Sequence, residues 1–84
     1  MSLYKRISRI WLEGRACKRC GHYTPGEVCV HHSRGRLGSL KEDIRHWIPL
    51  CLRCHDWVHN NIGMAREDGY ICEKGLWNTP DNDL

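Results

Sequence analysis

Cys17-Lys-Arg-Cys20, the doublet His31-His32 and the run Cys51-Leu-Arg-Cys54-His55-Asp-Trp-Val-His59 place four thiols and four imidazoles in three short stretches. Two residues between paired cysteines let a tight turn aim both sulfurs at one ion, and zinc favours four such ligands in a tetrahedron. Cys17 with Cys20 and Cys51 with Cys54 therefore read as the two halves of a closed structural Zn²⁺ site, a redox dithiol or disulfides being the other readings. Thirty residues, 21 to 50, separate the pairs. That exceeds the roughly 15 to 20 of a zinc ribbon, which suggests a functional element between the knuckles. The histidines suffice for a second, open metal site. His55 and His59 lie four apart, so a helix would put both rings on one face. In a strand, neighbouring His31 and His32 would point to opposite faces, one able to bind metal while the other holds a different position nearby.

These side chains need elements to place them. Leu3, Ile7, Ile10 and Trp11 recur at helical spacing with Lys5, Arg6 and Arg9 between them, which predicts an N-terminal amphipathic helix ended by Gly14. Cys17 to Gly21 reads as a knuckle, Thr24-Pro25-Gly26 as a turn, and Glu27 to His32 as a strand. Ser33 to Ser39, with Gly35, Gly38, Arg34 and Arg36, suits a basic loop. Ile44 to Leu50 reads as a second strand, restricted to an edge or a strand end by Pro49. A helix is expected from about Arg53 to Asn60 or Asn61, then a helical turn from Met64 to Asp68 stopped by Gly69. Tyr70-Ile71-Cys72 is expected to add a short strand, Trp47, Trp57 and Trp77 to pack, and Thr79 to Leu84 to fray. Cys29 and Cys72 read as buried thiols, and His22 as a surface residue.

At 84 residues the chain is expected to form a single domain, 1–84, too small to be secure on an apolar core alone. A metal staple answers that need. Met1 to Trp11 lacks the apolar stretch of a signal peptide and no run approaches membrane-spanning length, so a soluble, cytoplasmic protein is expected, where paired cysteines hold metal rather than disulfides. The net charge is only +3, but Met1 to His55 carries eleven Lys and Arg against four carboxylates, and Asp56 onward is acidic. A polyanion would meet the basic front of the chain first. A membrane partner is excluded on the same reading.

The succession Cys17-x-x-Cys20, Val30-His31-His32, then His46-Trp47-Ile48-Pro49-Leu50-Cys51-x-x-Cys54-His55-x-x-x-His59 resembles the zinc-knuckle branch of the HNH endonucleases. The likeness is close over 17–59 and looser over Ala65 to Ile71. It implies an α+β, zinc-stapled ββα-metal fold, also called a His-Me finger, here with an N-terminal helix. By resemblance, His31 and His55 would hold one catalytic divalent ion (Mg²⁺, Mn²⁺, Ni²⁺ or Zn²⁺), His59 would complete that shell or hold a phosphate, and His32 would be the general base. The implied activity is cutting or nicking of DNA, double-stranded, in the manner of compact phage enzymes, with a protein partner or homodimer for targeting. Arg34, Arg36, Arg45 and Arg53 are the expected phosphate contacts. The family's usual Asn is replaced by His46, whose ring can still donate one hydrogen bond and accept another. The alternative expectation is a non-catalytic zinc module that binds nucleic acid or protein.

Overall fold

A computed structural model describes residues 3–24 and 26–79 of the chain. The order of elements is α1 (Leu3–Leu12), β1 (Val28–His32), 3₁₀ turns at Gly38–Glu42 and Ile44–His46, β2 (Trp47–Cys51), α2 (Leu52–Asn60) and α3 (Ile62–Glu67). The architecture is α+β around one antiparallel hairpin, in which His31 faces Ile48 and His32 faces Trp47 across the ladder. Among the described residues no helix is long and apolar enough to cross a membrane.

Pro49 sits mid-strand opposite Val30 without breaking the ladder. Its carbonyl points outward and accepts from the Lys18 N–H at 2.8 Å, so the N–H it lacks also belongs to the outer edge. That same bond docks the first cysteine knuckle on β2. Pro25, in the expected turn, lies outside the described residues, but the Glu27 N–H donates to the Thr24 carbonyl and closes a turn there.

One face of the hairpin carries the core, where Ile48, Leu50, Cys17, Cys51 and Cys54 pack with Val58 of α2, Ala65 of α3 and Ile71. The other face meets α1, which contributes no fully buried residue. Of the expected apolar stripe of α1 only Trp11 packs closely. Leu3 and Ile10 are 65% and 66% exposed, whereas Tyr4 and Trp11 turn inward to edge-on contacts with Trp47 at 5.8 and 5.4 Å between ring centres. Tyr4 and Trp11 are seven apart and so share a helix face. Large aromatics with quadrupolar edge contacts take the interface from the aliphatic residues.

Three further expectations are corrected. Ile44 to His46 is 3₁₀ turn rather than strand, because the Asp43 carboxylate accepts from the Arg45 N–H and caps the turn. Among the described residues Tyr70 to Cys72 pairs with no strand, although the Cys72 N–H donates to the Ser33 carbonyl at 2.9 Å. Trp77 does not pack and is 48% exposed. Residues 80–84 of the expected frayed end lie outside the described residues.

Gly69 ends α3 as the sequence suggests, with φ +87°. The Gly69 N–H donates to the Arg66 carbonyl and the Tyr70 N–H to the Ala65 carbonyl, a Schellman pair that turns the chain back along the hairpin. Gly69→Ala forces a Cβ into the left-handed region and should lower stability by about 1 kcal/mol, read as a shift in denaturation midpoint of the zinc-loaded protein.

Candidate metal centres

The four cysteines come together from three places: the knuckle after α1, the end of β2 and the first turn of α2. One donor atom from each of Cys17, Cys20, Cys51 and Cys54 lies within 4.8 Å of the others. The Cys20 and Cys51 sulfurs are 3.7 Å apart, and a zinc tetrahedron with Zn–S bonds of about 2.3 Å has edges of about 3.8 Å. The cluster can thus hold a metal ion such as zinc. Burial opposes ionisation of Cys17, but the backbone N–H groups of Cys51, Cys20 and Arg19 outweigh it and bring that thiol down to about 6. Cys54, with burial dominant, is pushed up to about 12. Four thiolates this close need a cation among them. Arg19 helps from outside: its guanidinium donates to the Cys54 sulfur at 3.6 Å and stacks 3.8 Å from the Trp57 ring centre.

A second cluster lies beside α2. His31, His55 and His59 place one ring nitrogen each within 4.8 Å of one another. The Nε2 atoms of His55 and His59 are 3.2 Å apart, close to the edge of about 3.3 Å expected for tetrahedral Zn–N bonds of about 2.0–2.1 Å. The i, i+4 spacing on α2 delivers this pair, and the hairpin delivers His31 from the core face. His31 is 2% exposed and its Nε2 lies 2.7 Å from the Tyr70 carbonyl. A carbonyl only accepts, so Nε2 carries the proton and Nδ1 is left for a ligand, an outer hydrogen bond of the kind that orients metal-binding histidines. Burial first, then the neighbouring imidazoles, pushes the His31 pKa down to about 4. His55 is lowered as well, by burial and by His59. Both are therefore neutral donors at ordinary pH.

His32 points to the opposite face, as strand alternation requires. Its Nε2 lies 3.1 Å from the Lys41 carbonyl and 3.3 Å from the Tyr4 hydroxyl. The proton again belongs on Nε2, and the Nδ1 lone pair is left free. Burial lowers the His32 pKa, and Arg36, Lys41 and His55 lower it further. His46 meets this region through its backbone: its carbonyl accepts from both the N–H and the hydroxyl of Ser33 at 2.9 Å. The His46 ring stands 4.0 Å from the Asp43 carboxylate, which the Arg45 guanidinium holds down to about 2.

The four arginines named from the sequence have different neighbours. Arg36 stands by His32, with its guanidinium 5.8 Å from the Tyr4 ring centre. Arg45 binds Asp43 through two nitrogens, at 2.9 and 2.7 Å. Arg34 donates from Nε to the Thr79 carbonyl, and Arg53 lines a hollow beside the cysteines with Arg19 and Glu27. Sequence reasoning passed over Tyr4, Lys41, Arg19 and the Tyr70 carbonyl. The carbonyls act through backbone and leave no residue-type signal; only Gly69 hints that the chain turns back there. His22 is a surface residue as expected, bonded to Glu27 and Thr24.

No family model, no curated protein and no solved structure matches the chain.

If zinc fills the cysteine cluster, its binding energy is part of the folding energy, on the order of 10 kcal/mol for structural sites. Chelation should then abolish the cooperative unfolding transition, and zinc should restore it. His55→Ala should leave that zinc and the fold in place while removing a second bound metal, seen as a fall from two ions per chain to one in Ni²⁺- or Zn²⁺-saturated protein.

Proposed function

We propose that this chain is a divalent-metal-dependent phosphodiester hydrolase that cuts or nicks DNA, built on an HNH-type ββα-metal unit. The observation that carries this reading is the convergence of His31, His55 and His59 on one point, separate from the four cysteines, at the strand end that also presents His32. A structural zinc site needs no such second cluster.

A divalent ion held by the three histidines would supply Lewis acidity to a phosphoryl oxygen and neutralise charge in the transition state. The chain's own contribution is the base. His32 donates Nε2–H to the Lys41 carbonyl, which fixes the tautomer and leaves Nδ1 to accept a proton from the attacking water. Burial keeps the ring neutral, the form a base needs. His46 supports this residue through its carbonyl, bonded to Ser33 immediately after His32. Every residue type has a backbone carbonyl to offer there, which makes the His46 replacement compatible with activity.

Plasmid nicking in Mg²⁺, Mn²⁺, Ni²⁺ or Zn²⁺ tests the reading. His32→Ala should reduce the rate by roughly 10² to 10⁴ with both metals retained. His46→Asn should cut at least as well as wild type. Because protonation disables the base and burial lowers its pKa, the acid limb of the pH–rate profile should fall below the ordinary imidazole value of about 6.5. Wild type inert with every metal, or His32→Ala cutting like wild type, would leave a non-catalytic zinc module that binds nucleic acid or protein.

A further inference from the structure

The Nε2 side of His32 carries a cluster that the chemistry above does not use. Lys41 places its ammonium 4.7 Å from the Tyr4 ring centre, and Arg36 places its guanidinium 5.8 Å from the same ring. Both cations are close enough to His32 to depress its pKa. Among the described residues neither has a carboxylate partner; the nearby Asp43 is committed to Arg45 and His46. Two cations gathered around one aromatic ring repel each other. Attraction to the ring, of about 0.5–1 kcal/mol per cation at exposed sites, offsets that only in part, and a bound anion would remove it.

The cluster is held rather than merely exposed. Asn78 Oδ1 accepts from the N–H groups of Arg36 and Leu37 at 3.1 and 3.2 Å, and the Asn78 N–H donates to the Arg34 carbonyl at 2.7 Å. Gly35, at φ +98°, lets this strap lie flush: a Cβ there would stand 2.1 Å from Asn78 Oδ1. Asn78 itself has φ +60°, a conformation uncommon outside glycine and costly unless its surroundings repay it. On the other side Lys41 is fixed by its own carbonyl, which accepts from both His32 and the Trp47 indole at 3.1 Å. The loop that carries Arg36 and the turn that carries Lys41 are thus each fastened where their cations meet Tyr4.

We propose that Tyr4, Arg36 and Lys41 form a phosphate subsite for the DNA strand, one step along the backbone from the phosphate at the histidine trio. The inference rests on the nuclease reading. Strand alternation puts the trio and this cluster on opposite faces of the same strand end, so a strand crossing that end meets His31 on one side and the cationic cluster on the other. Helix α1, through Tyr4, becomes a wall of the substrate path. Arg36 and Lys41 bind phosphate here; Asn78 is a positioning residue.

The test is binding of a short fluorescein-labelled duplex to zinc-loaded protein across a salt series, without added divalent ion. Each lost phosphate contact should flatten the plot of log affinity against log salt by about 0.9. Arg36→Gln and Lys41→Gln should each do so, while Arg53→Gln, beside the cysteines, should leave the slope unchanged. A slope unaltered in Arg36→Gln and Lys41→Gln, or altered equally in Arg53→Gln, would overturn the subsite, the second result meaning that only diffuse charge is felt. Failure here is separable from failure of the chemistry. If the wild type binds with the expected slopes yet never nicks, the subsite stands and the catalytic reading falls; if it nicks while Arg36→Gln and Lys41→Gln keep the wild-type slope, the subsite alone falls.

Discussion

Four sulfur atoms gathered at a very small core, three of them on cysteines buried in it, are the constraint on which the rest of this structure depends. Cys17, Cys51 and Cys54 belong to the same buried cluster as Leu50, Val58 and Ala65. The aliphatic part of that cluster is small for a chain of this length, and small domains bury too little apolar surface to tolerate uncompensated charge. Thiolates at these distances are acceptable only around a cation. The cysteine cluster therefore fills part of the core, and around an ion it would also tie the knuckle after α1 to the β2–α2 junction.

That junction also sets the histidines. Cys54 and His55 are consecutive on α2, so a helical step of about 100° separates the inward sulfur from the ring that joins the trio. His59 follows one turn later. Any slip of α2 about its axis would disturb both clusters together. On the hairpin, a slip of one residue would exchange His31 and His32 between faces, since side chains alternate. Register is pinned by the Lys18 bond to the Pro49 carbonyl at the outer edge and by the Ser33 bonds to the His46 carbonyl at the open end. Each histidine of the doublet then has its own acceptor: the Tyr70 carbonyl for His31, the Lys41 carbonyl for His32.

Much of the site was legible from residue types because metal chemistry restricts them. The paired cysteines and the i, i+4 histidines are patterns whose geometry follows from turn and helix periodicity, and their donor atoms do converge. Pro49 and Gly69 marked an edge and a helix end through their backbone restrictions, and both act there. The rest was hidden where backbone groups do the work or where tertiary packing overrides local pattern. Nothing in the letters Lys41 or Tyr70 announces a carbonyl aimed at an imidazole. The aliphatic stripe of α1 satisfied helical periodicity, but periodicity names candidate faces without saying which surface awaits them. Trp47 on β2 meets Trp11 of the expected stripe together with Tyr4 from outside it, and Leu3 and Ile10 are left in solvent. The arginines' neighbours were illegible for a related reason: proximity in sequence does not decide which cations are already bound to a carboxylate or carbonyl.

The choice of α1 face links packing to the surroundings of His32 in a way that composition alone could not. A helix packed through Leu3, Ile7 and Ile10 would bury more aliphatic surface, yet it would carry Tyr4 away from His32. The observed packing trades some of that burial for edge-on aromatic contacts with Trp47 and for a hydroxyl at 3.3 Å from the imidazole. Its energetic return is modest, since an aromatic pair adds only about 0.5–1.5 kcal/mol beyond the area it buries. Local departures from the most stable arrangement tend to occur where a site must be assembled. Here the departure draws the N-terminal helix, the strand end and the loop of Arg36 together around one imidazole.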